Sequence, residues 1–205
     1  TPAQWAQRMG CPVDTARAVV VAAVRELFEE TGVLLAGSGP GSVVRDLNGP
    51  QWAEDRVRLA GHELSMGELA ARRGLVLRTD LLGLRSHWLT PEFEPRRYDT
   101  YFFAAAVPQG QTPASCTTEA SEGVWSRPHQ LFVEAAVGRV VLLPPTAYNL
   151  RQLDRAGTPE RFVAEEPPVD RIMLAATTGA DGTRVLSAAL PGTCASPGSQ
   201  TPATD

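Results

Sequence analysis

The chain has 205 residues, which suits one domain with its own core, or one domain that carries an insertion. Its formal net charge is -4, and its 19 basic residues are all arginines that form no basic run, which argues against binding to a nucleic-acid backbone. No apolar run reaches the length of a membrane span and no secretory signal is present, so we expect no membrane partner.

The cysteines are odd in number and widely spaced: Cys11, Cys116 and Cys194. This arrangement fits neither a disulfide framework nor a zinc site. A reducing compartment is the natural one for such a chain, so we predict a cytoplasmic location.

A long helix is predicted from Asp14 to Thr31. Asp14 is a good N-cap, and Gly32 can adopt the left-handed conformation that often ends a helix. An apolar stripe along the helix indicates a face that packs against a core, and it is formed by Val20, Val24, Leu27 and Phe28.

The next segment is predicted to be a loop and helical insertion of about residues 38–74, after a short strand at 33–36. Within it, residues 51–60 and 68–73 have helical patterns. A capping box that starts at Ser65 opens the second of these helices.

Strands follow the predicted insertion, at residues 75–77 and 81–89. Residues 97–107 are rich in aromatic and apolar side chains, which predicts a buried strand. Residues 123–126 are predicted as a short strand, and 128–136 as a helix.

The last part of the chain contains two further helix starts and a hairpin. Thr146 is predicted to cap one helix and Thr158 to open another. Segments 171–176 and 183–190 are predicted to pair across a glycine-containing turn. Residues 193–205 are predicted to be a disordered tail because proline, serine, threonine and glycine dominate them.

Three carboxylates lie on one narrow face of the predicted helix. On a helical wheel, Glu30 lies about 40° to one side of Glu26 and Glu29 about 60° to the other. Such a cluster is most often a solvated acidic face, but like charges at this spacing repel each other. A divalent cation would remove the repulsion, and oxygen ligands suit Mg²⁺ or Mn²⁺.

Residues 25–33 have the order Arg-Glu-hydrophobe-any-Glu-Glu-any-Gly-hydrophobe. This string resembles the second half of the Nudix box, the signature of hydrolases that cleave nucleoside diphosphates linked to another moiety. The resemblance implies an α+β fold for residues 1–192, an α/β/α sandwich with a mixed sheet and a helical insertion after the motif helix. It also implies a small-molecule nucleoside-diphosphate substrate, with a homodimer as an option because many relatives form dimers.

The resemblance assigns roles to residues by their position in the motif. Glu29 and Glu30 would bind Mg²⁺ or Mn²⁺, and Glu26 would be a further ligand or help to position the catalytic base. Arg25 would orient the carboxylates through charge-assisted hydrogen bonds.

Many members of the family supply another acidic residue, from a loop a few residues before a Trp-containing strand. Glu119 and Glu122, which precede Trp125, both match that description. Of the two, Glu119 is the preferred metal ligand and catalytic residue, and the alternative for either is a loop carboxylate that faces water.

The first half of the motif departs from the family pattern, since Arg17 and Cys11 stand where a Glu and a Gly are expected. A subgroup that resembles the peroxisomal coenzyme A diphosphatases of animals and their actinobacterial relatives separates the two halves by a long insertion. In that case the glycines and N-terminal strands would lie before Thr1. Further matches to this subgroup are residues 86–91, 96–103 and 143–146.

Five other residues have alternative interpretations. His87 and Trp88 could stack on a base, although strand-end aromatic residues usually belong to the core or its rim. Arg96 and Arg97 could hold phosphates, and Asp99 could pair with one of them, although a surface ion pair is the more common arrangement.

Three functions are therefore compatible with the sequence. The first is a metal-dependent diphosphatase with coenzyme A or acyl-coenzyme A as its substrate. The second is a diphosphatase of NADH, ADP-ribose or a diadenosine polyphosphate. The third is a non-catalytic Nudix-like module that senses a nucleotide or serves as an interaction module.

Overall fold

The computed structural model describes residues 1–113, 124–178, 184–188 and 190, and it has an α+β architecture. The α-helices are α1 (Pro2–Met9), α2 (Val13–Thr31), α3 (Pro50–Ala60), α4 (Met66–Arg73), α5 (Pro128–Ala136), α6 (Pro144–Ala156) and α7 (Pro159–Ala164). The strands are β1 (Ala36–Gly37), β2 (Val76–Leu77), β3 (Gly83–Leu89), β4 (Asp99–Ala104), β5 (Arg171–Met173), β6 (Ala175–Thr178) and β7 (Arg184–Ser187). In the described part of the chain, no helix is long and apolar enough to cross a membrane.

Helix α2 is the predicted motif helix, and it ends as expected at Gly32, whose φ of 74° and ψ of 3° are left-handed. Its start differs from the prediction, because the N-cap is Pro12 and no side chain caps the helix. Asp14 instead lies in the first turn, where a carboxylate is favoured by the helix dipole, and pairs with Arg17 at 3.5 Å.

The main hydrophobic core lies under α1 and α2, which pack against each other. Helix α2 contributes four buried side chains: Ala16, Val20, Val24 and Phe28. The next residues, 33–36, are also buried and continue this core away from the helix. The apolar stripe of the sequence is therefore the side of α2 that faces inward, with Leu27 half-buried at its border.

The helices α3 and α4 confirm the helical patterns predicted between residues 38 and 74. The Ser65 hydroxyl accepts a hydrogen bond from the Glu68 N–H at 3.2 Å, and Glu68 Oε2 accepts one from the Ser65 N–H at 2.8 Å. This is the capping box expected at the start of α4.

The largest described sheet has the order β4-β3-β5. Strand β4 is antiparallel to β3 and β5 is parallel to it, so the sheet is mixed. On one face, the Tyr101 hydroxyl donates to the Met9 carbonyl of α1 at 3.4 Å. On the other face, Trp88 meets Tyr148 of α6 edge-on, with ring centroids 5.7 Å apart. Helices thus cover both faces, which confirms the predicted α/β/α sandwich.

Strand β4 corrects the prediction of a buried strand at 97–107. It is an edge strand of the described sheet, with Asp99 and Thr100 exposed and its remaining residues half-buried. Tyr101 and Phe103 of this edge strand pack against the main core, and such packing favours the same residue types as a central strand.

Two other predicted elements also differ. Residues 124–126, within the predicted short strand at 123–126, form no regular element. Helix α6 begins at Pro144 after Leu143, so Thr146 is not its cap; proline at the first helical position sets the earlier start. The Thr158 prediction is confirmed, since its hydroxyl accepts from the Arg161 N–H at 3.2 Å.

The C-terminal hairpin is confirmed only in part. It is formed by β6 and β7, with Ala175 opposite Ser187. Strand β5 instead pairs in parallel with β3, as in the register His87 opposite Arg171, so residues 171–173 extend the main sheet. The predicted tail at 193–205 lies outside the described residues.

Candidate functional site

The carboxylate face of α2 is organised by one guanidinium group. Arg25 Nη1 donates to both carboxylate oxygens of Glu29 at 3.1 Å, and Arg25 Nη2 donates to Glu26 Oε1 at 3.3 Å. The Glu29 side chain is 13% exposed, whereas that of Glu26 is 57% exposed. The structure therefore places Arg25, Glu26 and Glu29 in one hydrogen-bonded group on the surface of α2.

Glu30 follows Glu29 on the last turn of α2 and is exposed. The face thus carries three carboxylates, whose oxygen atoms are the hard ligands that Mg²⁺ and Mn²⁺ prefer. Among the described residues, however, no three His, Cys, Asp or Glu side chains lie close enough together to hold a metal ion as they stand. The carboxylate oxygens are suitable ligands for a divalent cation, and the three side chains would have to move closer together to bind one.

The end of the motif helix is tied by contacts that the sequence did not indicate. Arg56 of α3 donates from Nε to the Glu29 carbonyl oxygen at 2.8 Å. The Thr31 hydroxyl donates to the Leu27 carbonyl at 2.6 Å and accepts from the Val33 N–H at 3.1 Å. The Glu29 carbonyl, one of the last carbonyls of α2, is satisfied in this way by a donor from another helix.

Gln111 fixes the segment that follows the motif. Its side-chain oxygen accepts from the Leu34 N–H at 2.9 Å, and its Nε2 donates to the carbonyls of Leu34 at 2.9 Å and Val44 at 2.6 Å. The side-chain amide thus pairs with both peptide groups of Leu34, as a neighbouring strand would. Only 8% of Gln111 is exposed, so these hydrogen bonds satisfy groups that water does not reach.

The predicted distal acids, Glu119 and Glu122, lie outside the described residues. The described residues on either side of that segment do lie near the motif helix. Pro113 and Trp125 line one small cleft of about 150 Å³, together with Leu27 and Thr31 of α2. Trp125 is 81% exposed and forms one wall of this cleft.

His87 and Asp99 belong to a different polar cluster, within the sheet. Asp99 Oδ1 lies in hydrogen-bond contact with His87 Nε2, so its partner is His87 and not Arg96 or Arg97. The His87 ring stacks on Tyr101 with centroids 3.9 Å apart and an interplanar angle of 12°. Burial raises the pKa of the Tyr101 hydroxyl. These contacts occupy the His87 ring within the protein, which argues against base stacking by this residue.

An apolar cleft of about 430 Å³ lies on the α6 side of the sheet. Its walls include the aromatic side chains of Trp88, Phe93, Tyr98 and Phe102. Trp88 faces α6, whereas Tyr101 on the same sheet faces α1, so this cleft and the α1 side are separated by the sheet.

Comparison with known proteins identifies the family. A family model described as the NUDT19 Nudix domain matches residues 3–153. The chain is 31% identical over 135 residues to a putative nudix hydrolase 7 of Caenorhabditis elegans, covering 66% of this chain and 43% of that protein. It is 29% identical over 170 residues to the acyl-coenzyme A diphosphatase NUDT19 of Gallus gallus, covering 72% of this chain and 43% of that protein.

The fold resembles that of a solved relative. The crystal structure of a NUDIX hydrolase from Alicyclobacillus acidocaldarius superposes with a TM-score of 0.60 and 26% sequence identity, covering 71% of this chain and 64% of the other. The chain spans less than half the length of the two curated relatives that it matches. Because the family model covers most of the chain, including the whole carboxylate face, the chain belongs to the Nudix hydrolase family and resembles its coenzyme A diphosphatase subgroup.

Proposed function

We propose that this Nudix hydrolase is a metal-dependent diphosphatase that cleaves a nucleoside diphosphate linked to another moiety, with coenzyme A or acyl-coenzyme A as the leading substrate. One observation carries the proposal. Arg25 holds Glu26 and Glu29 together on one face of α2, at the positions that the Nudix motif assigns to the catalytic carboxylates. Glu30 completes the motif on the same helix.

Glu26, Glu29 and Glu30 would hold Mg²⁺ or Mn²⁺, which neutralises phosphate charge and lowers the pKa of bound water. Arg25 keeps the Glu29 carboxylate in one orientation through two hydrogen bonds at 3.1 Å, so the ligand is arranged before a cation arrives. The side chain of Glu26 is more exposed than that of Glu29, which leaves it accessible to solvent and substrate.

The reaction is a hydrolysis at phosphorus. The water oxygen forms a bond to one phosphorus of the diphosphate, and the bond from that phosphorus to the bridging oxygen breaks. A carboxylate of the face accepts the proton that the water loses, and Glu26 would be a further metal ligand or help to position that base. Two phosphate monoesters result, one of which is a nucleotide.

Glu119 is proposed as an additional metal ligand, with Glu122 as the alternative. The cleft shared by Pro113, Trp125, Leu27 and Thr31 supports this proposal. It brings Pro113 and Trp125, which flank the segment, to the apolar border of α2.

The substrate assignment is supported by the relative from Gallus gallus, whose name states an acyl-coenzyme A diphosphatase activity. NADH, ADP-ribose and diadenosine polyphosphates contain the same linkage and stay as alternatives. Homodimer formation and a cytoplasmic location also stay predictions.

A non-catalytic nucleotide-binding module is the second candidate function. It is favoured by the residues that replace the first half of the motif, Arg17 and Cys11. The complete second half of the motif favours the hydrolase.

The test is incubation of the protein with coenzyme A, NADH and ADP-ribose in Mg²⁺, Mn²⁺ or EDTA, with products identified by mass. We expect phosphopantetheine and 3′,5′-ADP from coenzyme A, and no products in EDTA. Cleavage of another substrate instead would keep the mechanism and remove the coenzyme A assignment. Binding of these compounds without cleavage would support the non-catalytic module.

A further inference from the structure

We propose that the α3–α4 unit (residues 50–73) is a brace that positions the metal-binding carboxylates of α2, and that Arg56 is the positioning residue through which it acts. The inference rests on the proposed function, because it concerns how the same carboxylates are held. It assigns a role to a part of the chain that the motif itself does not include.

The first contact of the brace is made by Arg56 at the end of α2. In a continuing helix, the Glu29 carbonyl would accept from the N–H of residue 33. The Val33 N–H is bonded instead to the Thr31 hydroxyl, so the Glu29 carbonyl needs another donor. Arg56 Nε provides it at 2.8 Å and places a positive charge at the negative end of the helix dipole.

Glu29 is consequently held at two points. Arg25 holds its carboxylate, and Arg56 holds its backbone carbonyl. The two arginines come from different helices, α2 and α3. A shift of α3 would therefore act through Arg56 on the backbone of Glu29 and of its neighbour Glu30. Arg25 belongs to α2 itself, so its contact with Glu29 does not depend on the position of α3.

The second contact is made by Trp52, one helical turn before Arg56. Its ring meets Phe28 edge-on, with centroids 6.4 Å apart and an interplanar angle of 87°. Phe28 is 1% exposed and immediately precedes Glu29. Residues at i and i+4 of α3 thus contact two consecutive residues of the last turn of α2.

The third set of contacts stiffens α3 itself. Arg73 of α4 lies over the Trp52 ring, 4.3 Å from its centroid. The same guanidinium donates to Asp55 Oδ2 at 2.9 Å from Nε and at 2.6 Å from Nη2, and Asp55 is 3% exposed. Because this buried pair fixes the ring that touches Phe28, α4 supports the contact between α3 and α2.

The test compares Arg56→Gln, Arg56→Lys and the matched control Arg58→Gln, which removes an arginine from the same helix. Mn²⁺ binding is measured from the electron paramagnetic resonance signal of the free ion, alongside kcat, KM and the melting temperature Tm. We expect Arg56→Gln to weaken Mn²⁺ binding about 10-fold and to lower kcat similarly, with little change in KM. Arg56→Lys, which keeps the charge and a donor, should recover part of both losses.

Equal Mn²⁺ affinity and kcat in Arg56→Gln and Arg58→Gln would overturn the brace, while loss of activity in Glu30→Gln in the same series would leave the proposed function intact. If Arg56→Gln does not fold, the same comparison between Arg56→Lys and Arg58→Gln decides. A wild-type protein that neither binds Mn²⁺ nor cleaves any substrate would overturn the proposed function, and the brace with it.

Discussion

Two charged clusters of this protein lie close together in the fold and differ in their charge balance. In the α3–α4 unit, Asp55 is buried and has two arginine partners, Arg73 at 2.6 Å and Arg72 at 3.5 Å. On α2, Glu26 and Glu29 share the single guanidinium of Arg25. These contacts give the first cluster two arginines for one carboxylate, and the second cluster one arginine for two carboxylates.

The difference separates a structural cluster from one that can bind a ligand. A buried carboxylate with several charge-assisted hydrogen bonds has little capacity for an added cation. The α2 face keeps an excess of negative charge at a partly exposed position, which costs stability in the absence of a counterion. A divalent cation would relieve that cost, so the α2 face and not the Asp55 cluster is the expected metal site.

The largest effect should follow from Glu30→Gln on the α2 face. We expect kcat to fall by about 1,000-fold, equivalent to about 4 kcal/mol of activation free energy, because a charged metal ligand is replaced by a neutral amide. Tm should stay close to that of the wild type. The assay is product release followed by mass, with Glu54→Gln, an exposed glutamate of α3, as the control. Normal turnover in Glu30→Gln would contradict the assignment of the α2 face, and not the Asp55 cluster, as the metal site.

Asp55→Asn should have its main effect on stability, and not on kcat. Removing one partner of a buried ion pair leaves Arg73 without its carboxylate, and we expect the free energy of unfolding to fall by about 3 kcal/mol. Chemical denaturation measures the change. Asp154→Asn, an exposed aspartate of α6, serves as the control. If Asp55→Asn lowers the free energy of unfolding no more than Asp154→Asn does, the Asp55 cluster is not structural.

Gln111→Met tests an uncharged hydrogen-bonded side chain, for comparison with the two charged clusters. Methionine has a similar length but cannot pair with Leu34 or Val44, so buried peptide groups would lose their partners. We expect a loss of about 2 kcal/mol in the free energy of unfolding. In the same denaturation assay, Gln111→Glu should lose at least as much as Gln111→Met, because a buried carboxylate oxygen would replace the N–H donor that faces the Leu34 and Val44 carbonyls. Equal stability of the methionine variant and the wild type would contradict this.

The smallest effect should come from the cap of α4. Ser65→Ala removes a side-chain cap, and we expect Tm to fall by about 3 °C, whereas Ser65→Thr should stay near the wild type. Hydrogen bonds from Ser65, first from its backbone N–H, lower the pKa of Glu68 below the ordinary value of 4.5.

A depressed pKa gives this contact a defined pH dependence. The stabilisation by the Glu68 carboxylate is complete above pH 4.5 and is lost as the pH falls through the lower pKa of the folded state. Glu68→Gln has no such titration, so the stability difference between wild type and Glu68→Gln should shrink in that acid range. A constant difference measured by denaturation at each pH would contradict the assignment.

The features that sequence reasoning predicted correctly depend on neighbours within one helical turn. The capping box of Ser65, the Thr158 cap and the left-handed Gly32 each satisfy backbone groups three or four residues away. The order of residues 25–33 likewise placed the carboxylates on one face of α2. Asp14 and Thr146 were wrong as caps because a nearby proline sets each helix start earlier.

The contacts that the sequence did not reveal join distant segments. Arg56 lies 27 residues from Glu29, and Gln111 lies 77 residues from Leu34. Neither belongs to a periodic pattern, and an arginine or glutamine on its own usually predicts only an exposed side chain. The edge position of β4 was missed for a similar reason, because strand order depends on how β3 pairs with β5, far along the chain.

The most direct test of the α2 face as a metal site is a Mn²⁺ titration of the wild type, Glu30→Gln and Asp55→Asn, followed by electron paramagnetic resonance of the free ion. We expect saturable binding by the wild type, its loss in Glu30→Gln, and saturable but weakened binding by the folded fraction of Asp55→Asn, in which the brace loses the Asp55–Arg73 pair. Binding that is unchanged in Glu30→Gln, or absent from the wild type, would contradict the assignment of the α2 face as the metal site.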